Sequence, residues 1–210
     1  PERPLIFTNG LFLLLIGLFM AGYGLFFKKD IVRNILLTLF GFYFYYLASG
    51  PFLLLLLITI TLDYLFSSII ESSENHIIRK TGVTMGVGFS LAFLMWFKYR
   101  LFFQQTTGVI YGDPLSPSDI ILPIGISFYT FQSVSYLVDV YKRKVAVPEF
   151  QDYLLYMTFF PHLVAGPIVR ARDFLPQLNS RPAVTKEHFN EGFYLITKGF
   201  IKKALIADFV

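Results

Sequence analysis

The sequence predicts an all-α fold: a polytopic transmembrane helical bundle with one broken or re-entrant segment and interfacial helices. Three observations carry this prediction. The 210 residues are 55% hydrophobic and 15% charged, with a mean hydropathy of +0.59, whereas about a quarter of an average soluble domain is charged. Apolar runs long enough to cross a bilayer as a helix, about 20 residues, recur along the chain. Basic residues collect at the ends of those runs, where topology signals belong.

The first run, residues 5–27, is longer than the roughly 7–15 residues of a signal-peptide core, and no A-x-A-like cleavage site follows it, so it reads as a retained span. Runs at 51–70, 81–103 and 120–141 reach the same length, while 34–48 is short and its "FGFYFYY" places aromatics as an interface belt would. The odd-numbered connections hold Lys28, Lys29 and Arg33, then Arg79 and Lys80, then Lys142, Arg143 and Lys144; the even ones hold only Lys98 and Arg100. Eight basic residues against two place the odd connections in the cytoplasm and the N-terminus outside it.

The next apolar stretch, "FQDYLLYMTFFPHLVAGPIV", is long enough to cross, but Arg170, Arg172, Arg181 and Lys186 follow it and break the alternation. Pro161, Gly166 and Pro167 interrupt its hydrogen-bond ladder, and non-helical backbone at membrane depth is tolerated only inside protein or beside a watery cavity. Residues 150–170 are therefore expected to form a broken or re-entrant segment that returns to the cytoplasmic side. "DFLPQLNSRPAVTKEHF" reads as a polar connector. An interfacial helix is expected over 185–210, with Thr185 and His188 in its first turn and Phe189, Phe193, Ile196 and Phe200 on one face. Lys198, Lys202 and Lys203 lie elsewhere on it. With no initial methionine and an end inside "IKKALIADFV", the chain is expected to be the N-terminal portion of a single, longer transmembrane domain.

Composition also excludes function classes. No cysteine is present, so a disulfide, a thiolate metal site and a cysteine nucleophile are excluded. The net charge of +4 and pI near 9.2 are accounted for by the topology signals and call for no nucleic acid.

Two soluble-enzyme signatures fail on inspection. "GVGFS" at Gly86 begins like a dinucleotide fingerprint but continues into Leu91 inside an apolar helix, where small residues serve close helix packing instead. "GISFY" at Gly125 starts like a nucleophile elbow around Ser127 but has Tyr129 where the last glycine belongs.

Polar residues within spans are the candidates for function. Projected at 100° per residue, Gly125, Phe128, Gln132, Ser135, Tyr136 and Asp139 share a stripe, so one face of the fifth span can hydrogen-bond; interhelical bonding and a substrate passage are both open readings. Asp63 is ionisable within a span. Lys98 is its tempting partner, but the two differ in depth by about 15 Å, so Asp63 is expected to bond a neighbouring helix or a cytoplasmic cation while Lys98 snorkels outward. His162 is the remaining candidate. No second histidine stands at metal-ligand spacing, so no metal site is expected, and a buried histidine more often serves structure than catalysis.

Read together, "ILPIGISFYTFQSVSYLVDVYKRK" and "FFPHLVAGPIVRARDF" resemble the membrane-bound O-acyltransferase family. "VRNILLTLFGFYFYY", "TLDYLF", "WFKY" and "GFIKKALIAD" extend the resemblance over nearly the whole chain. It implies a multi-pass protein of the bacterial cytoplasmic (inner) membrane that accepts an acyl group from a cytoplasmic thioester donor, acetyl-CoA or another, with no tightly bound cofactor. The implied partners are membrane lipid, a periplasmic acyltransferase and an extracytoplasmic polysaccharide.

The resemblance also implies a catalytic histidine in a tryptophan-histidine-glycine type motif. That motif is not in this stretch, whose single tryptophan, Trp96, precedes Phe97. It further implies glutamine at the position of His162 in many relatives, which weakens His162 as an obligatory base. The chain alone is therefore expected to be inactive and to supply scaffold and passage. Gln132, Ser135, Tyr136, Asp139, His162, Gly166, Pro167 and Arg170 are the passage candidates, Arg170 forming a cationic mouth for the anionic donor. Closeness of "LPIGISFYTFQS" to the alginate-type branch favours acetyl transfer to polysaccharide; the alternatives are D-alanyl transfer to teichoic acid, a transporter or flippase, and a noncatalytic membrane adaptor.

Overall fold

The computed structural model describes residues 10–26, 30–111, 123–163, 167–178 and 185–202. Among these residues there are helices and no strand, consistent with an all-α membrane protein. Two stretches are apolar and long enough to cross a bilayer, Ile31–Ser72 and His76–Tyr99. The first of them is two helices: α2 (Asp30–Ser49) and α3 (Leu53–Ser72), separated by a 3-10 turn at Gly50–Phe52. Gly50 takes φ +55°, the left-handed conformation that ends a helix and that glycine adopts without a Cβ penalty. α2 is 20 residues long, longer than the 34–48 expected, because its first turn is pinned from outside. There Arg33, only 5% exposed, donates to the Leu178 carbonyl at 2.6 Å.

α1 (Gly10–Phe26) leans on α2 through Phe19, stacked on Phe40 at 4.2 Å between ring centroids. α3 and α4 (His76–Tyr111) form an antiparallel hairpin, and Asn75 caps the start of α4 by accepting from the Ile77 N–H at 2.8 Å. A Cβ at Gly82 would meet Ile70 at 3.0 Å, and one at Gly86 would meet Leu137 at 2.8 Å and Phe66 at 3.2 Å. Gly86 is thus the close-packing residue its span suggested, touching both α3 and α5 (Ile126–Tyr141).

α5 opens on Gly125 at φ +77° and closes with its end carbonyls answered: the Lys144 N–H donates to the Asp139 carbonyl at 2.9 Å and the Arg143 N–H to Val140 at 3.0 Å, with Arg143 left-handed at φ +55°. This is a Schellman ending built without glycine.

Three helix ends meet at one pole of the bundle. Arg79, 7% exposed, donates to the carbonyls of Ile70 and Tyr141, both at 2.6 Å, satisfying orphan acceptors of α3 and α5 at once. Exposed Arg143 pairs with Glu74 at 2.8 Å and holds that carboxyl below its ordinary range by hydrogen bonding and charge. The Glu71 carboxylate accepts from the Val147 N–H at 2.8 Å.

From this pole α6 (Phe150–Thr158) runs inward. It breaks at Phe159 (φ −62°, ψ 105°) and resumes as the short α7 (Phe160–Leu163). Pro161 stands in the first turn of α7, where a missing N–H leaves nothing unpaired. Phe160 packs against Phe40 (4.9 Å) and Phe44 (5.9 Å), ten and fourteen positions into α2, so α7 lies about 15–20 Å from the pole. The chain then comes back, because Arg170 lies beside Lys142 and Lys144 and Arg172 beside Lys144 and Asn34.

The stretch read as a polar connector is partly helical, forming α8 (Ala171–Leu178) with Pro176 inside it. Packing overrides propensity here, since Ala171 and Leu178 are buried and Phe174 and Leu175 pack on the core. α9 (Lys186–Ile201) begins at the expected cap, Thr185 accepting from the His188 N–H at 3.3 Å, and buries no residue within the described part of the protein.

Candidate functional site

The passage candidates on α5 divide among three settings. Helical geometry sends residues 132, 133 and 135 in different directions within one turn, and each direction meets a different neighbour.

The first setting is the inner tip of the re-entrant segment. α6 stops at Thr158, so the carbonyls of its last turn have no helical partner. Gln132 supplies one: its Nε2 donates to the Tyr156 carbonyl at 3.0 Å. The His162 Nε2 lies 3.0 Å from the same carbonyl and 3.1 Å from the Gln132 amide nitrogen. With the proton on Nε2, His162 donates to the carbonyl beside Gln132; with it on Nδ1, His162 accepts the second amide N–H. The ring is 6% exposed and boxed by Phe159 (5.3 Å) and Phe174 (5.6 Å). Tyr156 also donates its hydroxyl to the Val169 carbonyl at 2.8 Å, tying the returning segment to α6.

His162 thus stands at the break between α6 and α7, within bonding distance of the Tyr156 carbonyl. His162→Gln is expected to keep the bond to the Tyr156 carbonyl and to unfold within about 2 °C of the parent, whereas His162→Ala should lose about 1–3 kcal/mol. Thermal unfolding in detergent checks both, and equal losses would reject the hydrogen-bonding role.

The second setting surrounds Asp63, 1% exposed in α3. Its carboxylate accepts from Ser90 on α4 and from Tyr153 on α6, both at 3.3 Å. Ser90 lies 3.0 Å from the Ser133 hydroxyl of α5, and Tyr136, fully buried, donates to Ser67 at 3.1 Å. Asp63 therefore bonds neighbouring helices, as read from its depth, and Lys98 is exposed against the Tyr99 ring. Tyr136 belongs to this packed polar centre and not to an open passage. Ser133, Ser90 and Tyr153 were not singled out from the sequence. Ser133 stands one step off the polar stripe, and only the arrival of α4 beside it reveals its role.

The third setting is an open cleft of about 510 Å³ at the pole, where Ser135, Asp139 and Arg170 come together with Lys142 and Lys144. A second cleft of about 620 Å³ lies across Lys144 and takes Arg172, Asn34, Glu149 and Asp152 into its wall. Pro167 is exposed on the strand leading to Arg170, and Gly166 lies outside the described residues. No group of three or more acidic residues or histidines could hold a metal ion among the described residues. The arrangement sets Lys142, Lys144, Arg170 and Arg172 among the carboxylates of Asp139, Glu149 and Asp152.

No family model matches this chain, and no solved structure matches it. Curated proteins do. A protein of Pseudomonas putida named "Probable alginate O-acetylase AlgI" is 34% identical over 97% of this chain and 43% of its own length. Its namesake in Azotobacter vinelandii is 35% identical over 97% of this chain and 42% of its own length. A "Peptidoglycan O-acetyltransferase" of Helicobacter pylori is 26% identical over 86% of this chain and 40% of its own length. The chain thus spans about two fifths of the length of the curated relatives it matches.

Proposed function

The chain belongs to the membrane-bound O-acyltransferase family, with the alginate O-acetylases, and on that premise we propose that it serves polysaccharide O-acetylation at a bacterial cytoplasmic membrane. The observation that carries this reading is the match to alginate O-acetylases along 97% of the chain. Acetyl passes from a cytoplasmic thioester, acetyl-CoA or another, towards an extracytoplasmic polysaccharide, with a periplasmic acyltransferase as onward partner. Peptidoglycan is the second acceptor that a relative's name favours.

In the transfer, a hydroxyl oxygen attacks the thioester carbonyl, a histidine takes the hydroxyl proton, and the thiol leaves with a proton. Within this stretch the residues act as scaffold and entrance. The packed centre around Asp63 and the closed tip at His162 hold the helices. Lys142, Lys144, Arg170 and Arg172 make an electropositive pole that draws a phosphate-bearing donor. The test is transfer of labelled acetyl from acetyl-CoA to polysaccharide by membranes carrying the full-length gene product. Transfer is expected there and not from residues 1–210 alone; full-length membranes without transfer would overturn the reading.

The pole carrying the basic connections faces the cytoplasm. Residues 150–170 enter and leave on that side, and α9 lies along the interface. A cysteine placed at Arg172 is expected to resist a membrane-impermeant thiol reagent in intact cells and to react once the membrane is opened. Labelling from outside would reverse the orientation.

A further inference from the structure

Asp139 is 5% exposed and its Oδ2 is buried with no hydrogen-bond partner. Lys142, Lys144 and Arg170 line the same cleft, yet none forms an ion pair with Asp139 among the described residues. Asp139 is two positions from the end of α5, at the pole that carries the basic connections.

A simple anion in this cleft would satisfy the cations and be repelled by Asp139. A simple cation would do the reverse. A zwitterion carrying both a phosphate and an amine complements both.

Apart from Ser135, the rest of the cleft is apolar and runs inward. Phe131, Val134 and Val138 share the α5 wall, and Ile168 lines the cleft from the returning segment. Phe131 and Ile168 are 48% and 46% exposed. From Asp139 to Phe131 the wall extends about 12 Å along the helix, the direction an acyl chain takes below its headgroup.

We propose that this cleft is a binding site for an amine-bearing phospholipid of the phosphatidylethanolamine class. The phosphate sits against Arg170 and Lys142, the primary ammonium donates to the edge of the Asp139 carboxylate that borders the cleft and not to the buried Oδ2, and one acyl chain lies along the Phe131–Val138 wall. A primary amine is specified because a quaternary choline headgroup has no N–H to donate. The seat shares Lys142 and Arg170 with the field that draws the acyl donor, and lipid binding is read independently of whether transfer is observed.

The test is lipid binding to the purified protein in detergent, read by native mass spectrometry with phosphatidylethanolamine, its N-methylated forms, phosphatidylcholine and phosphatidylglycerol. Phosphatidylethanolamine is expected to bind about tenfold more tightly than phosphatidylcholine, one charge-assisted hydrogen bond being enough for that factor. Binding should fall stepwise with each added methyl on the parent protein, which needs no variant. Asp139→Asn should reduce phosphatidylethanolamine to the phosphatidylcholine level, and Arg170→Gln should weaken both lipids alike. Preference for phosphatidylglycerol, or no response to methylation, would overturn the assignment. Displacement of the lipid by coenzyme A would give the cleft to the donor instead.

Discussion

Asp63→Leu is expected to destabilise the protein by about 3 kcal/mol, lowering Tm in detergent by about 5–10 °C. Leucine places two bulkier methyl groups where the two oxygens sit, so overpacking adds to the loss of the hydrogen bonds. Without the carboxylate, Tyr153 loses the acceptor it reaches at 3.3 Å, and an unsatisfied buried hydroxyl costs about 1–3 kcal/mol, whereas Ser90 keeps the Gly86 carbonyl at 3.1 Å and the Ser133 hydroxyl at 3.0 Å. Interhelical hydrogen bonds inside membranes average only about 0.6 kcal/mol, so the estimate counts stranded donors more than lost bonds. Asp63→Asn keeps one acceptor oxygen and should lose about half as much. Thermal unfolding of the two variants distinguishes the cases. Equal Tm values for parent and Asp63→Leu would show that these hydroxyls find other partners and that Asp63 does not organise the centre.

The second large effect is expected at Gly41. There α2 passes so close to the end of α6 that a Cβ would fall on the Thr158 carbonyl. The obstacle is backbone, and backbone has no rotamer by which to yield. Gly41→Val should therefore push α6 away from α2, at about 3 kcal/mol or more, and disturb the Phe19, Phe40, Phe44 and Phe160 cluster that locates α7. Gly88, which has open space around it, is the control: Gly88→Val should cost less than about 1 kcal/mol. Both variants are read by yield and Tm of the purified protein. Gly41→Val unfolding with Gly88→Val would refute the close approach of α2 and α6.

Much of the fold was legible because the signals are local. Apolar runs and flanking charges are read within a single segment. Thr185 announced the start of α9, and the depth argument separated Asp63 from Lys98 before any contact was known. α8 was missed because its "DFLPQL" carries a proline and little intrinsic preference for helix. Only docking of Ala171, Phe174 and Leu178 on the bundle makes it helical.

The candidate site was less legible. Gln132, Ser135, Tyr136 and Asp139 do share a stripe, but a helix buried on several sides has several neighbours. Gln132 closes the tip, Tyr136 joins the Asp63 centre, and Ser135 and Asp139 line the outer cleft.

The arginines make the same point. Arg33 and Arg79 counted as topology charges in the sequence, and in the structure each is buried and donates to carbonyls at a helix end.

By itself, the sequence determined the class of the protein, the order of its apolar segments, the pole on which its basic residues gather and the family to which it belongs. Those properties rest on composition, periodicity and residue identity along the chain. The tertiary structure decided which polar group meets which: His162 with the Tyr156 carbonyl across a helix break, Asp63 with Ser90 and Tyr153 on two other helices, and Asp139 left without a partner beside three cations. Such pairings are set by the angles and registers at which helices distant in sequence come together, and no single segment encodes them.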